Sequence, residues 1–295
     1  MHDWYQEATL ELVARAEAKK GGQKGSQHQH QHQQQARMAD EARHRSAELS
    51  TSSSSRGVSF AGRSVQGHYF RSKFARRGVL LYQLLWMLRE EPVFQSRPAA
   101  LSVVSIGGGP GTDASGFVWL RKRLLRDTAI DVHLCDKEST WKYYLETLRG
   151  LFAGDVASLS FDTCDSTVAL DAAQNARTAV ALAAADVVVF AYVCNETSEL
   201  SRARGHCFYE GMAGVLKRDA LLVFLDVLRE SAAVLDGIVA LLKRSRELQV
   251  LDCARFSSLR SEVRVVRILD DSPLSMGLSA GGDSQSIIFE DQQQC

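Results

Sequence analysis

Between residues 101 and 268 short apolar runs alternate with longer stretches of helical periodicity, and this alternation restricts the fold more than any other feature of the chain. The runs span 101–106, 130–135, 159–161, 186–192 and 221–226. Helix-like stretches at 114–125, 140–152, 168–184 and 199–216 separate them, and another at 229–246 leads to a strand-like run at 248–254. Strands that alternate with helices imply crossover connections and a parallel sheet. Strands buried on both faces are apolar throughout, as in Val187-Val188-Val189-Phe190 and Leu221-Leu222-Val223-Phe224. Two late extended segments, 263–268 and 286–289, read as an antiparallel pair that closes the sheet. The expected fold is therefore α/β: a doubly wound, mostly parallel sheet with helices on both faces and an antiparallel C-terminal strand pair.

Upstream of the first run the chain changes character twice. Residues 1–20 hold a candidate N-terminal helix, with a weak apolar face through Leu10, Val13 and Ala14. Residues 21–56 are rich in Gln, His and Ser: His28, His30 and His32 alternate with glutamine, and serine fills 52–55. So little apolar surface cannot offset the entropy of ordering, so this segment is expected to be a disordered linker. Residues 57–295 form the expected domain, with a basic helical segment at 57–92 and the cofactor-binding core at 101–226. In the basic segment Phe70, Phe74, Leu81, Leu84, Leu85 and Leu88 recur at helical spacing over 69–89, and Pro92 is the expected stop.

Hydrophobic residues make up 45% of the 295, enough for a sizeable core. Lys plus Arg and Asp plus Glu balance at 35 each, so the chain as a whole has no general attraction to polyanions. The six cysteines are scattered without a C-x-x-C pair, which points to reduced thiols and no metal site. The three alternating histidines lack the fixed surroundings a metal shell needs. No basic-then-apolar leader opens the sequence, and the apolar stretch at 79–88 is far short of a bilayer span. An intracellular protein, cytoplasmic or nuclear and without a membrane partner, is expected.

The first strand runs into Gly107-Gly108-Gly109-Pro110-Gly111-Thr112-Asp113 and then a helix. A glycine turn at the carboxyl end of a first strand lets a ligand approach the backbone, and the next helix directs its positive end at it. The dinucleotide fingerprint G-x-G-x-x-G fails, because its last glycine would fall on Thr112, and no G-K-[ST] follows for a P-loop. A nicotinamide-dependent oxidoreductase is accordingly disfavoured. The pattern present is G-x-G-x-G, at Gly107, Gly109 and Gly111. The second strand ends in Asp136, an acid placed to accept hydrogen bonds from both hydroxyls of a ribose.

Gly107, Gly109 and Gly111, with Pro110 before the last glycine, resemble motif I of the class I S-adenosylmethionine (SAM)-dependent methyltransferases. The resemblance covers roughly 101–226 and implies SAM as cofactor. It assigns Gly107, Gly109 and Gly111 to the cofactor turn, Asp136 to the ribose and Asp165, after the third strand, to the adenine amino group in preference to Asp162. Residues 186–196 resemble the family's fourth-strand motif, whose end faces the sulfonium and the acceptor, so Tyr192, Asn195 and Glu196 are the catalytic candidates. Asn195 also reads as a simple helix cap. Ser105 stands where the family usually carries Asp or Glu toward the methionine end, a departure from the pattern. The (D/N)-P-P-(Y/F) signature of base amino-group methylation is missing from 193–197, which disfavours that route.

Methyl transfer from a sulfonium needs alignment above all, so no catalytic triad is required. The implied function is transfer of a methyl group from SAM to an unidentified acceptor, with RNA and protein as open classes. A non-catalytic SAM-binding sensor is the alternative. From Arg56 to Arg89 seven basic residues occur with no acidic one, interleaved with Phe60, Tyr69, Phe70 and Phe74. Arg71, Lys73, Arg76 and Arg77 could meet phosphates of a nucleic-acid acceptor, or form the solvated face of a packing helix or of a lid over the cofactor. Nothing in the sequence fixes an oligomeric state.

Overall fold

The computed structural model describes residues 60, 63–227, 231–251, 256, 259 and 261–270. The expected N-terminal helix, the Gln/His/Ser-rich linker and the strand at 286–289 lie outside these residues. Eight helices and seven strands follow in order: α1 (Arg63–Met87), α2 (Pro92–Gln95), β1 (Ala100–Ile106), α3 (Thr112–Arg123), β2 (Ala129–Asp136), α4 (Lys142–Leu151), β3 (Ser158–Thr163), α5 (Ala176–Ala184), β4 (Val187–Ala191), α6 (Cys194–Ala203), α7 (Cys207–Val215), β5 (Leu221–Asp226), α8 (Ala232–Ser245), β6 (Leu248–Val250) and β7 (Glu262–Ile268). Single 3₁₀ turns at Ser139–Trp141 and Ala173–Asn175 precede α4 and α5.

The strands form one sheet in the order β3-β2-β1-β4-β5-β7-β6. The five strands β1 to β5 are parallel, β7 runs antiparallel to β5, and β6 antiparallel to β7. The doubly wound sheet and its antiparallel C-terminal pair match the expectation, with one change of partner: β7 pairs with β6, the run at 248–250, within the described residues. The order reverses between β1 and β4, so the connections leaving their carboxyl ends turn to opposite faces of the sheet, and the crevice between them is the usual ligand position in such sheets.

Alternate side chains of each strand feed two cores. Val103, Val189, Val223 and Val265 meet α1 and α3 through Phe74, Leu81, Leu84, Leu85, Phe117 and Leu120. On the other face Val104, Phe190, Phe224 and Val266 meet α5 to α8 through Leu182, Phe208, Met212, Leu235 and Leu242. Phe190 and Phe224 stack at 4.9 Å between ring centroids. The long helix α1 is thus an integral layer of the domain and lies against α3, where Leu81 closes onto Gly116.

Several boundaries differ from the periodicity, each for a local reason. Helix α1 ends at Met87, and Pro92 opens α2 at its first helical position with Glu91 extended before it, the geometry proline favours. The single helix expected over 199–216 is two, α6 and α7, parted by positive φ at Gly205 (64°) and His206 (60°). The helix expected from 168 begins only at Ala176. Asn175, fully buried, holds the preceding loop by donating to the carbonyls of Asp165 (3.0 Å) and Ala169 (2.9 Å) and accepting from Asp165 N (2.9 Å).

Candidate functional site

The carboxyl ends of β1, β2, β4 and β5 and the start of α3 converge on the crevice. The turn after β1 bends through Gly107 (φ 70°), Gly109 (φ 45°) and Gly111 (φ 78°). At Gly107 a Cβ would lie 2.6 Å from Val193 Cβ, and at Gly111 2.5 Å from Leu148 Cδ1, so these two glycines are demanded by packing as well as by φ. Gly109 differs: a Cβ there would meet Asp136 Oδ2 and Trp141 Cε2 only at 3.7 Å.

Asp136 ends β2, and its two carboxylate oxygens accept from backbone N–H groups, Oδ2 from Gly109 (2.9 Å) and Oδ1 from Glu138 (2.9 Å). Each oxygen keeps a second lone-pair direction. Burial pushes the Asp136 carboxyl up to about 6 despite those two bonds. Trp141, 3% exposed, stands beside the turn and is flanked by Tyr69 and Phe60 at 5.9 Å each. Gln66 of α1 donates to Thr140 in the same wall. The start of α1 therefore packs along the Asp136 side of the turn.

Asp165 lies just past β3, with Cys164 N bonded to Asp136 O (3.0 Å). Its carboxylate pairs with Lys137 Nζ (2.8 Å) and accepts from Thr167 N (2.9 Å) and Thr167 Oγ1 (2.7 Å). Burial raises this carboxyl, but the Lys137 and Thr167 bonds outweigh it and hold it below its ordinary value. Asp162 is on β3 itself, paired with His133 (3.2 Å) and Arg177 (3.1 Å).

Ser105 is fully buried in β1, and its Oγ donates to Asp113 Oδ2 at 2.6 Å. Asp113, 3% exposed in the first turn of α3, has its carboxyl pushed up to about 6 by burial, with the Ser105 bond and the charge of Arg77 opposing. The hydroxyl of Thr112 next to it is buried and has no hydrogen-bond partner among the described residues.

On the other side of the crevice β4 ends at Tyr192, whose φ of 63° is strained for a side chain of this size. Its N–H donates to Leu225 O (2.7 Å). The guanidinium of Arg77, reaching in from α1, lies 3.9 Å over the Tyr192 ring and donates to Tyr69 Oη. Asn195 falls inside the first turn of α6, not at its cap, and its backbone N–H donates to the buried Asp226 Oδ2 (2.9 Å). Glu196 is exposed although protein crowds around it. Burial pushes its carboxyl up to about 7, with Arg77 opposing and Asp226 and Asp136 adding. A side chain both exposed and crowded lines an open recess, where water moderates the shift.

Ser105, Gly107, Gly109, Gly111 and Asp136 are thus brought together, with Tyr192, Asn195 and Glu196 opposite. Asp165 borders the far end through Lys137. Of the four basic residues, Arg76 is exposed, Lys73 and Arg77 are half-buried, and the side chain of Arg71 lies outside the described part. Sequence reasoning missed Asp113, Trp141 and Asp226. Asp226 closes a strand next to β4, which was signal enough to look there. Among the described residues no cluster of His, Cys, Asp and Glu could hold a metal, and no helix is long and apolar enough to cross a membrane.

No protein-family model matches the chain, and no curated protein does. Solved structures do. A DszA carbon methyltransferase is 17% identical, with 81% of this chain and 66% of that one covered and a TM-score of 0.45. A precorrin-6y C5,15-methyltransferase of Geobacter metallireducens is 13% identical, with 66% and 87% covered at 0.37. A phosphoethanolamine N-methyltransferase 2 of Haemonchus contortus, solved with SAM, is 14% identical, with 69% and 49% covered at 0.37. These methyltransferase structures are what the chain is similar to. The first structures in this set are covered over only 60–66% of their own length.

Proposed function

We propose that this domain binds SAM across the carboxyl ends of β1 and β4 and transfers its methyl group to an acceptor held beside Tyr192 and Glu196. One observation carries the reading: the G-x-G-x-G turn lies against a strand-end carboxylate, Asp136, at the point where strand order reverses. The residues present fit the cofactor. The turn, closely packed at Gly107 and Gly111, leaves room beside Gly109, Asp136 retains acceptor capacity for ribose hydroxyls, and Thr112 has a buried hydroxyl at the start of α3 with no partner among the described residues. Asp113, Asp136, Glu196 and Asp226 all have carboxyls raised above their ordinary range, and Arg77 is the cation whose charge reaches Asp113, Glu196 and Asp226. A recess with more acid than base favours a cationic guest.

When bound, SAM supplies an electrophilic methyl carbon on a sulfonium. The protein's part is to align the acceptor and exclude water. Glu196, its carboxyl raised above the ordinary range by the surrounding protein and open to the recess, is the group suited to take a proton from the acceptor. Arg77 and Tyr192, stacked face to face, form the wall against which the acceptor would sit. RNA and protein are both proposed as acceptor classes, RNA through Lys73 and Arg76 with the neighbouring Arg71. The departure at Ser105 and the long low-complexity arm favour a binding-only sensor, whereas the Asp113 carboxylate bonded to Ser105 offers an acid beside that place. Incubating the full chain with methyl-labelled SAM and separate RNA, protein and metabolite pools tests transfer. Label in any pool, lost in Glu196→Gln, supports the enzyme, whereas SAM binding with no transfer to any pool favours the sensor.

A further inference from the structure

Resting on the SAM reading, we infer that Asp113 and Arg77 form a two-sided clamp for the amino-acid end of the cofactor, Asp113 for its ammonium and Arg77 for its carboxylate. The family pattern places an acid at the position of Ser105, and this chain has none there. The structure supplies one from a different element. Asp113 stands two residues beyond Gly111 in the first turn of α3, and Ser105 Oγ donates to its Oδ2 at 2.6 Å. That bond fixes the carboxylate through one of its two oxygens. Asp113 is 3% exposed, and a carboxylate so buried is normally paired.

A second, independent observation lies beside it. Thr112 Oγ1 is buried and has no hydrogen-bond partner among the described residues, so a polar atom next to Asp113 at the end of the glycine turn is left for a ligand to satisfy. Helix α3 is also entered without a side-chain cap, since Gly111 precedes it. Groups left this way are what a ligand ending in an ammonium and a carboxylate would engage.

Arg77 complements them. Its guanidinium is held by Tyr69 Oη and by the Tyr192 ring, and its charge is felt at Asp113 and at Glu196. It is therefore a fixed cation facing the same recess as a fixed acid. An α-amino acid carries its two charges on one carbon, and one acid with one guanidinium matches that zwitterion. The bland alternative is that Asp113 only ties the glycine turn to β1 through Ser105, and that Arg77 only props Tyr192.

Methylthioadenosine separates these possibilities, because it keeps the adenosine and the sulfur but lacks the amino-acid end. Titrations of the full chain should show SAM bound more tightly than methylthioadenosine. Asp113→Asn and Arg77→Gln should each weaken SAM by about tenfold or more and leave methylthioadenosine within about twofold, the loss expected for one charged hydrogen bond. Ser105→Ala should weaken SAM less than Asp113→Asn, and Arg77→Lys should recover part of the Arg77→Gln loss. Methylthioadenosine affinity doubles as the control that each variant is folded. Equal wild-type affinity for both ligands, or variants that lose both in parallel, would overturn the clamp alone. A wild type that binds neither ligand would overturn the SAM reading and the clamp with it.

Discussion

Asp113 has a raised carboxyl, about 6 in the folded protein against about 3.9 in an unfolded chain, because burial disfavours its charge. The folded state then holds this proton more tightly than the unfolded state. The stability it contributes is present at low pH and is lost as pH rises from about 4 through about 6, a linkage on the order of 3 kcal/mol. Asp113→Asn removes that titration while keeping the shape. Its melting temperature should therefore gain on the wild type between pH 4 and 7 in the ligand-free protein, and parallel pH profiles would refute the buried, ionisable assignment. Glu196 is the proposed proton acceptor. Glu196→Gln should lower kcat by about a hundredfold, the scale of a lost proton acceptor, with SAM affinity unchanged. A variant at full rate would move the base elsewhere. Asp136 and the three turn glycines could be read from residue spacing. Asp113 could not, because its importance comes from a contact to Ser105 eight positions away that only the strand-to-helix turn creates.

At the scale of elements, the glycine turn should be intolerant where φ and packing coincide. Gly107→Ala places a methyl 2.6 Å from Val193 Cβ at φ 70° and should cost about 1–3 kcal/mol from backbone strain alone. Gly150→Ala, which meets nothing within 4 Å inside α4, should be neutral or slightly stabilising. Denaturant melts of the two variants check the contrast, and equal midpoints would mean that the turn is not held as described. Helix α1 raises a different question, because its basic residues do not share one fate. Lys73→Gln with Arg76→Gln should leave SAM affinity intact and flatten the salt dependence of binding to an RNA acceptor; unchanged salt curves would leave these residues as a solvated face. Periodicity found α1 and its core face through Phe70, Phe74 and Leu81. It missed the break at Gly205, because the residues on either side continue a helical pattern and only the positive φ values of Gly205 and His206 interrupt it. It likewise drew the helix before β4 too early, since Asn175 holds the loop through tertiary hydrogen bonds that no local pattern encodes.

Across the whole molecule the sheet was readable because parallel strands buried on both faces must be apolar throughout, as β4 and β5 are. The closing strand pair was harder. The strand-like run over 248–254 is visible in the sequence, but its pairing with β7 is a long-range choice that no local pattern encodes. The same wrapping sets the electrostatics of the site: strand ends from β1, β2, β4 and β5 bring Ser105, Asp136, Tyr192 and Asp226 around one crevice that α1 closes with Arg77. The most direct test of the central claim is isothermal titration of the full chain with SAM, repeated for Asp136→Ala and with NAD. The account predicts one SAM site, a loss of about 1.5–3 kcal/mol in Asp136→Ala, and no competition by NAD. No binding of SAM, or a wild-type dissociation constant in Asp136→Ala, would contradict it.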